Sequence, residues 1–219
     1  MNHPVNKILL VDDHQLLREA LSNLINSFDN FTVIGAVGNG REMQNFLAGP
    51  QKPDIILLDL NMPLMDGFES AKWMSTQFPD IKVMILTMYD SETALIRLLR
   101  AGVNGFLKKD VHPNELKSAL NSIAENRYYY SHDTTGKLAG FFHRNTDHQS
   151  LMDKVLLTDK ELEFLKLAST EMTYKEIAGE MKISPRAIDN FRDTLFEKLD
   201  VKSRVGLAIY AVKNGIVAI

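Results

Sequence analysis

Residues 54–67 read DIILLDLNMPLMDG, and this stretch decides the fold. The run Ile55–Asp59 is short and rich in isoleucine and leucine, which predicts a strand that is buried on both faces and ends at a carboxylate. Phe68, Ala71 and Met74 follow at helical spacing. The stretch therefore predicts a strand followed by a helix, the repeating unit of an α/β protein.

The same alternation extends outward from this unit over the first 125 residues. Helical patterns separate four further apolar stretches that predict strands, namely Lys7–Val11, Phe31–Val37, Lys82–Thr87 and Gly105–Leu107. Right-handed crossovers place helices on both faces of such a sheet. We therefore expect a flavodoxin-like, doubly wound, five-stranded parallel sheet with strand order 2-1-3-4-5, whose ligand chemistry lies at the carboxyl ends of its strands.

Three carboxylates fall at those ends. Asp12 and Asp13 end the first strand and Asp59 ends the third, and these two strands are neighbours in the predicted order. The unpaired carboxylates would repel one another, so together they indicate a cation, and oxygen ligands favour Mg²⁺. Taken alone, Asp12 and Asp13 fit a helix N-cap equally well.

Two further polar residues lie at the ends of the fourth and fifth strands. Thr87 ends the fourth strand, and Lys109 follows the fifth. A carboxylate, a divalent cation, a hydroxyl and a lysine together form a phosphoryl-transfer site, in which the carboxylate attacks phosphorus and the other groups neutralise charge. Carboxylates, a hydroxyl and a lysine at the ends of four different strands are hard to explain without a function.

The C-terminal part of the chain predicts a second, all-α domain. Residues 126–150 are polar and are interpreted as a linker between a domain of residues 1–125 and one of residues 151–219. Thr158 with Glu161 forms a predicted capping box, and Ser184 and Ser203 are predicted to cap two later helices. Two helices joined by a short turn in a unit this small indicate a helix-turn-helix.

The second helix of this pair has an acidic exposed face. Arg186 and Asn190 suit guanine or adenine edges or phosphates, whereas Asp189 can accept only from a cytosine amino group and Asp193 faces phosphate repulsion. Residues 151–219 contain 11 basic and 11 acidic side chains, so the unit carries no net positive charge. An ordinary solvated helix face explains these residues as well as a DNA-reading face does.

The composition excludes several classes of protein. None of the 219 residues is cysteine, which excludes disulfides, thiolate metal sites and a cysteine nucleophile. No run approaches the roughly 18 apolar residues of a membrane span, and the N-terminus lacks a signal-peptide pattern. We therefore expect a cytoplasmic protein without a membrane partner.

The first 125 residues resemble the receiver domain of bacterial two-component response regulators. The resemblance rests on ILLVDDH at residues 8–14, on residues 54–67, on Leu86-Thr87 and on GFLKKD at residues 105–110. It implies that Asp59 is the phosphoacceptor and that Asp12, Asp13, Asp59 and the Asn61 backbone carbonyl hold Mg²⁺. It also implies that Thr87 and Lys109, rather than Lys108, contact the phosphoryl group and that Phe106 is the aromatic switch residue.

Residues 156–217 resemble the LuxR-type (NarL/FixJ) DNA-binding domain. The resemblance rests on LTDKE at 157–161, KEIA at 175–178, Ile183-Ser184, Ala187-Ile188, Lys198-Leu199 and VKSR at 201–204. The chain departs from the family where Asp189 replaces the usual lysine of the recognition helix. The predicted DNA contacts are the base-facing and phosphate-facing side chains Lys175, Arg186, Asp189, Asn190, Arg192, Asp193, Lys198, Lys202 and Arg204.

Together the two resemblances predict a response regulator in which a histidine kinase phosphorylates Asp59 and the phosphorylated protein dimerises on double-stranded DNA. The last helix, with the apolar face Val205, Ala208, Ile209 and Val212, is the predicted dimer contact. A haloacid-dehalogenase-type phosphatase is disfavoured because Asn61 stands where that class needs a second aspartate, so we expect no enzyme of that kind. The alternative is a receiver protein whose helix-turn-helix has lost DNA binding and acts through protein–protein contacts.

Overall fold

The chain forms two compact units, residues 1–138 and residues 139–219. The computed structural model describes residues 5–88, 92–131, 134–136, 157–199, 201–214 and 216–217. Most of the predicted linker, from residue 137 to residue 150, lies outside these described residues.

The first unit contains one parallel sheet. Its strands are β1 (Asn6–Val11), β2 (Phe31–Val37), β3 (Ile55–Leu58), β4 (Lys82–Thr87), β5 (Gly105–Lys108) and β6 (Tyr129–Tyr130), in the order β2-β1-β3-β4-β5-β6. The predicted fold class and strand order are confirmed. The sheet also has β6, a two-residue edge strand that is too short to leave a periodic pattern in the sequence.

Among the described residues, helices on both faces cover this sheet. They are α1 (Gln15–Asn26), α2 (Gly40–Ala48), α3 (Gly67–Gln77), α4 (Glu92–Arg100) and α5 (Pro113–Ala124). Alternate residues of β1 belong to two different cores: Leu9 packs in the core that α2, α3 and α4 contribute to, and Ile8 in the core of α1 and α5. Both faces of the sheet are thus apolar, and polar groups collect at the strand ends.

The second unit contains α6 (Asp159–Ala168), α7 (Tyr174–Glu180), α8 (Pro185–Lys198) and α9 (Arg204–Lys213) around one apolar core. Thr158 accepts from the Glu161 backbone N–H while the Glu161 carboxylate accepts from the Thr158 N–H, which confirms the predicted capping box. Ser184 and Ser203 cap α8 and α9 as predicted. Helices α7 and α8, with the turn between them, form the predicted helix-turn-helix.

Helix α3 begins in direct contact with the segment that carries Asp59. The Gly67 N–H donates to the Leu60 carbonyl at 2.9 Å, and a Cβ at Gly67 would lie 2.2 Å from the Asp59 carbonyl oxygen and 2.6 Å from the Leu60 Cα. Both of these atoms belong to the backbone, so they cannot move aside as a side chain would. The absence of a side chain at Gly67 therefore fixes the distance between α3 and the end of β3.

We expect Gly67→Ala to destabilise the first unit by about 2–4 kcal/mol, because the added methyl group must displace backbone. Gly136→Ala is the matched control, since a Cβ there would meet nothing within 4 Å. Urea unfolding of both variants, followed by circular dichroism, measures the difference. Equal midpoints for the two variants would contradict the close-approach argument.

Candidate functional site

The predicted carboxylates converge at the carboxyl ends of β1 and β3. These strands pair with Val11 opposite Leu58, so Asp12 and Asp59 follow at adjacent positions, and the Asp59 N–H donates to the Val11 carbonyl at 2.8 Å. Both aspartates are only 4% exposed. The Asp13 side chain is 36% exposed at the rim. Asp12, Asp13, His14 and Asp59 offer ligand atoms that all lie within 4.8 Å of one another.

Lys109 is the cation that the structure itself brings to this cluster. Its Nζ lies 2.7 Å from Asp12 Oδ2 and 3.0 Å from Asp59 Oδ2, and its side chain is only 6% exposed. The Lys109 N–H donates to the Thr87 carbonyl at 2.9 Å, which anchors the residue just past β5. One ammonium thus joins the two buried carboxylates.

The pKa of Asp59 reflects both its burial and its charged neighbours. Burial raises the pKa of Asp59 to about 6, although the Lys109 ammonium and the Leu60 N–H both lower it, and the neighbouring Asp12 raises it further. The Leu60 N–H donates to Asp59 Oδ1 at 2.8 Å. The pKa of Asp59 thus stays raised chiefly because the carboxyl is buried, and contact with one lysine does not reverse that effect.

The remaining receiver positions lie on the neighbouring segments. Thr87 is fully buried at the end of β4, and Phe106 is buried in the adjacent strand β5. Asn61 is partly buried, two residues beyond Asp59. The structure therefore joins Asp12, Asp59 and Lys109 by direct contacts and places the other three on the strands and loop around them.

His14 is a pocket residue that the sequence reasoning did not assign. Its Nδ1 lies 3.1 Å from Asp12 Oδ1 and 2.9 Å from Asp13 Oδ1, and its backbone N–H donates to Asp12 Oδ1 at 2.9 Å. Arg18, one helical turn further along α1, donates to the Asp12 carbonyl. The sequence signal for His14 and Arg18 is their position, one and five residues after Asp13. The start of a helix brings side chains at such positions back toward the strand end.

The predicted DNA-contacting side chains of the second unit divide into two groups. One group is exposed to solvent and consists of Lys175, Arg186, Asp189, Asn190, Asp193 and Lys202. The other group is partly buried and bonded within the unit. Lys198 lies 2.9 Å from the buried Glu161 carboxylate, and Arg204 donates to the carbonyls of Ala168 and Thr170.

Arg192 belongs to the second group. Its guanidinium lies 3.2 Å from Asp189 Oδ1 and 2.9 Å from Asp193 Oδ1.

On α9, Val205 is 66% exposed and Ile209 is 50% exposed, while Leu207 and Ala211 are buried in the core. The face predicted for dimerisation therefore points away from the unit's own core.

Comparison with known proteins places the chain in a family. Residues 8–121 match the family described as "Response regulator receiver domain", and residues 155–211 match "Bacterial regulatory proteins, luxR family". The chain belongs to the response regulators. The receiver match covers the acidic pocket, and the luxR-family match covers all of α6–α8, as both resemblances in the sequence implied.

Several curated relatives have the same length and arrangement. Response regulator GacA of Pseudomonas aeruginosa is 29% identical over 96% of this chain and 97% of its own length. YxjL of Bacillus subtilis, described as an uncharacterised transcriptional regulatory protein, is 31% identical over 99% and 100%. The oxygen regulatory protein NreC of Staphylococcus carnosus is 32% identical over 95% and 97%. The match to the luxR family, together with these relatives, favours a DNA-binding response regulator over a receiver protein whose helix-turn-helix has lost DNA binding.

Solved structures share the fold. RcsB from Salmonella enterica serovar Typhimurium, bound to promoter rprA in the presence of the phosphomimetic BeF3-, has a TM-score of 0.69 at 21% identity over 94% of this chain and 98% of that one. Response regulator ChrA of a heme-sensing two-component system has a TM-score of 0.53 at 23% identity over 97% and 99%. In the described ranges, no helix is long and apolar enough to cross a membrane.

The Glu161–Lys198 ion pair predicts a pH dependence of the second unit's stability. Although burial alone raises the pKa of Glu161, hydrogen bonds from Lys198 and Thr158 bring it below its usual value. A lowered folded pKa gives stability that is present above the unfolded value near 4.5 and is lost as the pH falls through the folded value. We expect Glu161→Gln to cost about 2–4 kcal/mol at pH 7, because it leaves the Lys198 ammonium without its buried partner.

Chemical unfolding from pH 7 to pH 3 measures this difference. The advantage of the wild type over Glu161→Gln should shrink below pH 4.5, whereas Glu163→Gln, at an exposed position of the same helix, should match the wild type throughout. A gap between wild type and Glu161→Gln that stays constant with pH would refute the assignment.

Proposed function

We propose that this response regulator accepts a phosphoryl group on Asp59 from a sensor histidine kinase and thereby controls transcription. The observation that carries the proposal is the contact of one buried ammonium, Lys109, with both Asp12 and Asp59. In the proposed transfer, an Asp59 carboxylate oxygen forms the new bond to phosphorus as the phosphorus–nitrogen bond of the kinase phosphohistidine breaks. Lys109 and the Thr87 hydroxyl then contact the phosphoryl oxygens, and Phe106 responds as the switch residue.

The donor set fits Mg²⁺. Three carboxylates lie within reach of one another and are hard oxygen donors, and the single ammonium of Lys109 faces all three negative charges, which supports a further cation at this site. We propose Asp12, Asp13, Asp59 and the Asn61 carbonyl as the residues that hold the ion. When bound, the ion offsets charge on the phosphoryl oxygens.

The proposed output is DNA binding by the second unit. We keep the division into a receiver of residues 1–125, a linker of residues 126–150 and a DNA-binding domain of residues 151–219, except that β6 at residues 129–130 pairs with the receiver sheet, and we propose that the protein acts in the cytoplasm on DNA. Phosphorylation favours a homodimer, for which the exposed residues Val205 and Ile209 on α9 offer an apolar contact. The six exposed side chains named above are the proposed DNA contacts that the structure leaves open to solvent. DNA contact by the three side chains that are bonded within the unit, Arg192, Lys198 and Arg204, stays a prediction.

We expect Asp59→Asn to abolish phosphoryl incorporation, because an amide is a poor nucleophile toward phosphorus. The full chain is incubated with acetyl phosphate and Mg²⁺, and intact mass is measured; the wild type should gain one phosphoryl group and should lose that gain when EDTA removes the metal. Asp80→Asn, at an exposed position outside the pocket, is the control. A full mass gain in Asp59→Asn would place the phosphoacceptor elsewhere.

The acidic face of α8 gives a test of DNA binding. Asp193→Lys should tighten binding to random-sequence duplex and steepen its salt dependence by about one charge contact, because a repelled carboxylate becomes an ammonium. Asp189→Ala should instead weaken the preference for a selected site by about 1–3 kcal/mol, with non-specific affinity unchanged or higher. Glu163→Lys makes the same charge change on α6 as a control. If neither α8 variant alters any DNA affinity, this helix does not enter the groove.

A further inference from the structure

Arg192 lies near the middle of α8, the second helix of the helix-turn-helix, which we call the recognition helix. It forms ion pairs with Asp189, three residues before it, and with Asp193, the next residue. Its Nη1 lies 3.2 Å from Asp189 Oδ1, and its Nε and Nη2 each lie 2.9 Å from Asp193 Oδ1. The two carboxylates raise the pKa of Arg192, with the Asp193 hydrogen bond as the largest cause. One guanidinium therefore forms ion pairs with both acidic side chains on the α8 face that the sequence predicts to contact DNA.

An aromatic support holds this guanidinium in place. The Arg192 Cζ lies 5.5 Å from the centroid of the Tyr174 ring, and the Arg204 Cζ lies 5.3 Å from the same centroid. The Tyr174 ring stacks on Phe164 at 6.2 Å with an interplanar angle of 6°. Phe164 is fully buried, so the support is part of the core.

The Arg192 side chain is less exposed to solvent than the two carboxylates that it contacts. The Arg192 side chain is 28% exposed, whereas the Asp189 and Asp193 side chains are 56% and 64% exposed. The carboxylates are thus the more solvent-accessible groups, and the guanidinium between them contacts the Tyr174 ring. If Arg192 moved to a phosphate, it would leave two uncompensated carboxylates beside the polyanion, which Coulomb repulsion disfavours.

We propose that Arg192 is a positioning residue of the recognition helix, and that it neutralises and orients Asp189 and Asp193 rather than binding phosphate. The helix then presents the Asp189 carboxylate, which suits a cytosine amino group in the major groove, from a face on which Arg192 offsets part of the negative charge of the two acids. This inference rests on the proposed DNA-binding function. It differs from the expectation, drawn from the sequence, that Arg192 contacts the DNA backbone.

A double-mutant cycle separates the two roles. Arg192→Ala is made in the wild-type chain and in an Asp189→Asn/Asp193→Asn background, and binding of each full-length protein to a labelled random-sequence duplex is measured by fluorescence anisotropy at several salt concentrations. A neutralising Arg192 predicts a loss of about five- to twentyfold in the wild-type background, where two carboxylates are released, and of less than about twofold in the background without acids. Arg192→Lys, which keeps the charge, should recover most of the affinity.

A phosphate contact predicts the opposite pattern. Arg192→Ala would then lose the same factor in both backgrounds and lower the salt slope by about one charge contact, which would overturn this inference while leaving DNA binding intact. A wild-type chain that shows no salt-dependent DNA binding would overturn the proposed function as well. Melting temperatures verify folding, and Arg192→Gln repeats the cycle if Arg192→Ala is unfolded; the same dependence on the two acids is expected.

Discussion

The ion pair between Lys109 and the two buried carboxylates is the interaction on which the receiver unit depends. Asp12 and Asp59 are both 4% exposed and lie at adjacent strand ends, a placement that strong desolvation and mutual repulsion oppose. The ammonium at 2.7 Å and 3.0 Å makes that placement possible. It does so only in part, because burial keeps the pKa of Asp59 raised at about 6 despite the ammonium. The pocket therefore holds three carboxylates, Asp12, Asp13 and Asp59, around a single lysine.

The sequence predicted the parts of the molecule whose cause is local. Apolar runs separated by helical patterns predict β1–β5, and the strand order follows from general rules for doubly wound parallel sheets, so the sequence also predicts that Asp12 and Asp59 lie close together. Capping residues such as Thr158 and Ser184 set the helix starts within one residue, because their hydrogen bonds reach only to the third residue of the helix.

The parts that the sequence did not predict depend on tertiary placement. Strand β6 forms only because β5 offers an edge to Tyr129 and Tyr130. The contacts of Lys198 with Glu161, 37 residues away, and of Arg204 with Ala168 and Thr170 follow from how four helices pack. From the sequence alone, the basic side chains of this unit are predicted to contact DNA. The structure shows that Arg192 and Lys198 form ion pairs within the unit and that Arg204 donates to backbone carbonyls there.

The hydrogen bond from the Lys109 N–H to the Thr87 carbonyl has a mechanical consequence. The side chain of Lys109 is held by the carboxylates of β1 and β3, and its backbone is held by the last peptide of β4. Lys109, which directly follows β5, therefore contacts groups at the ends of three other strands, β1, β3 and β4. A displacement of the Asp59 carboxylate would reach the end of β4 through one side chain and one backbone hydrogen bond.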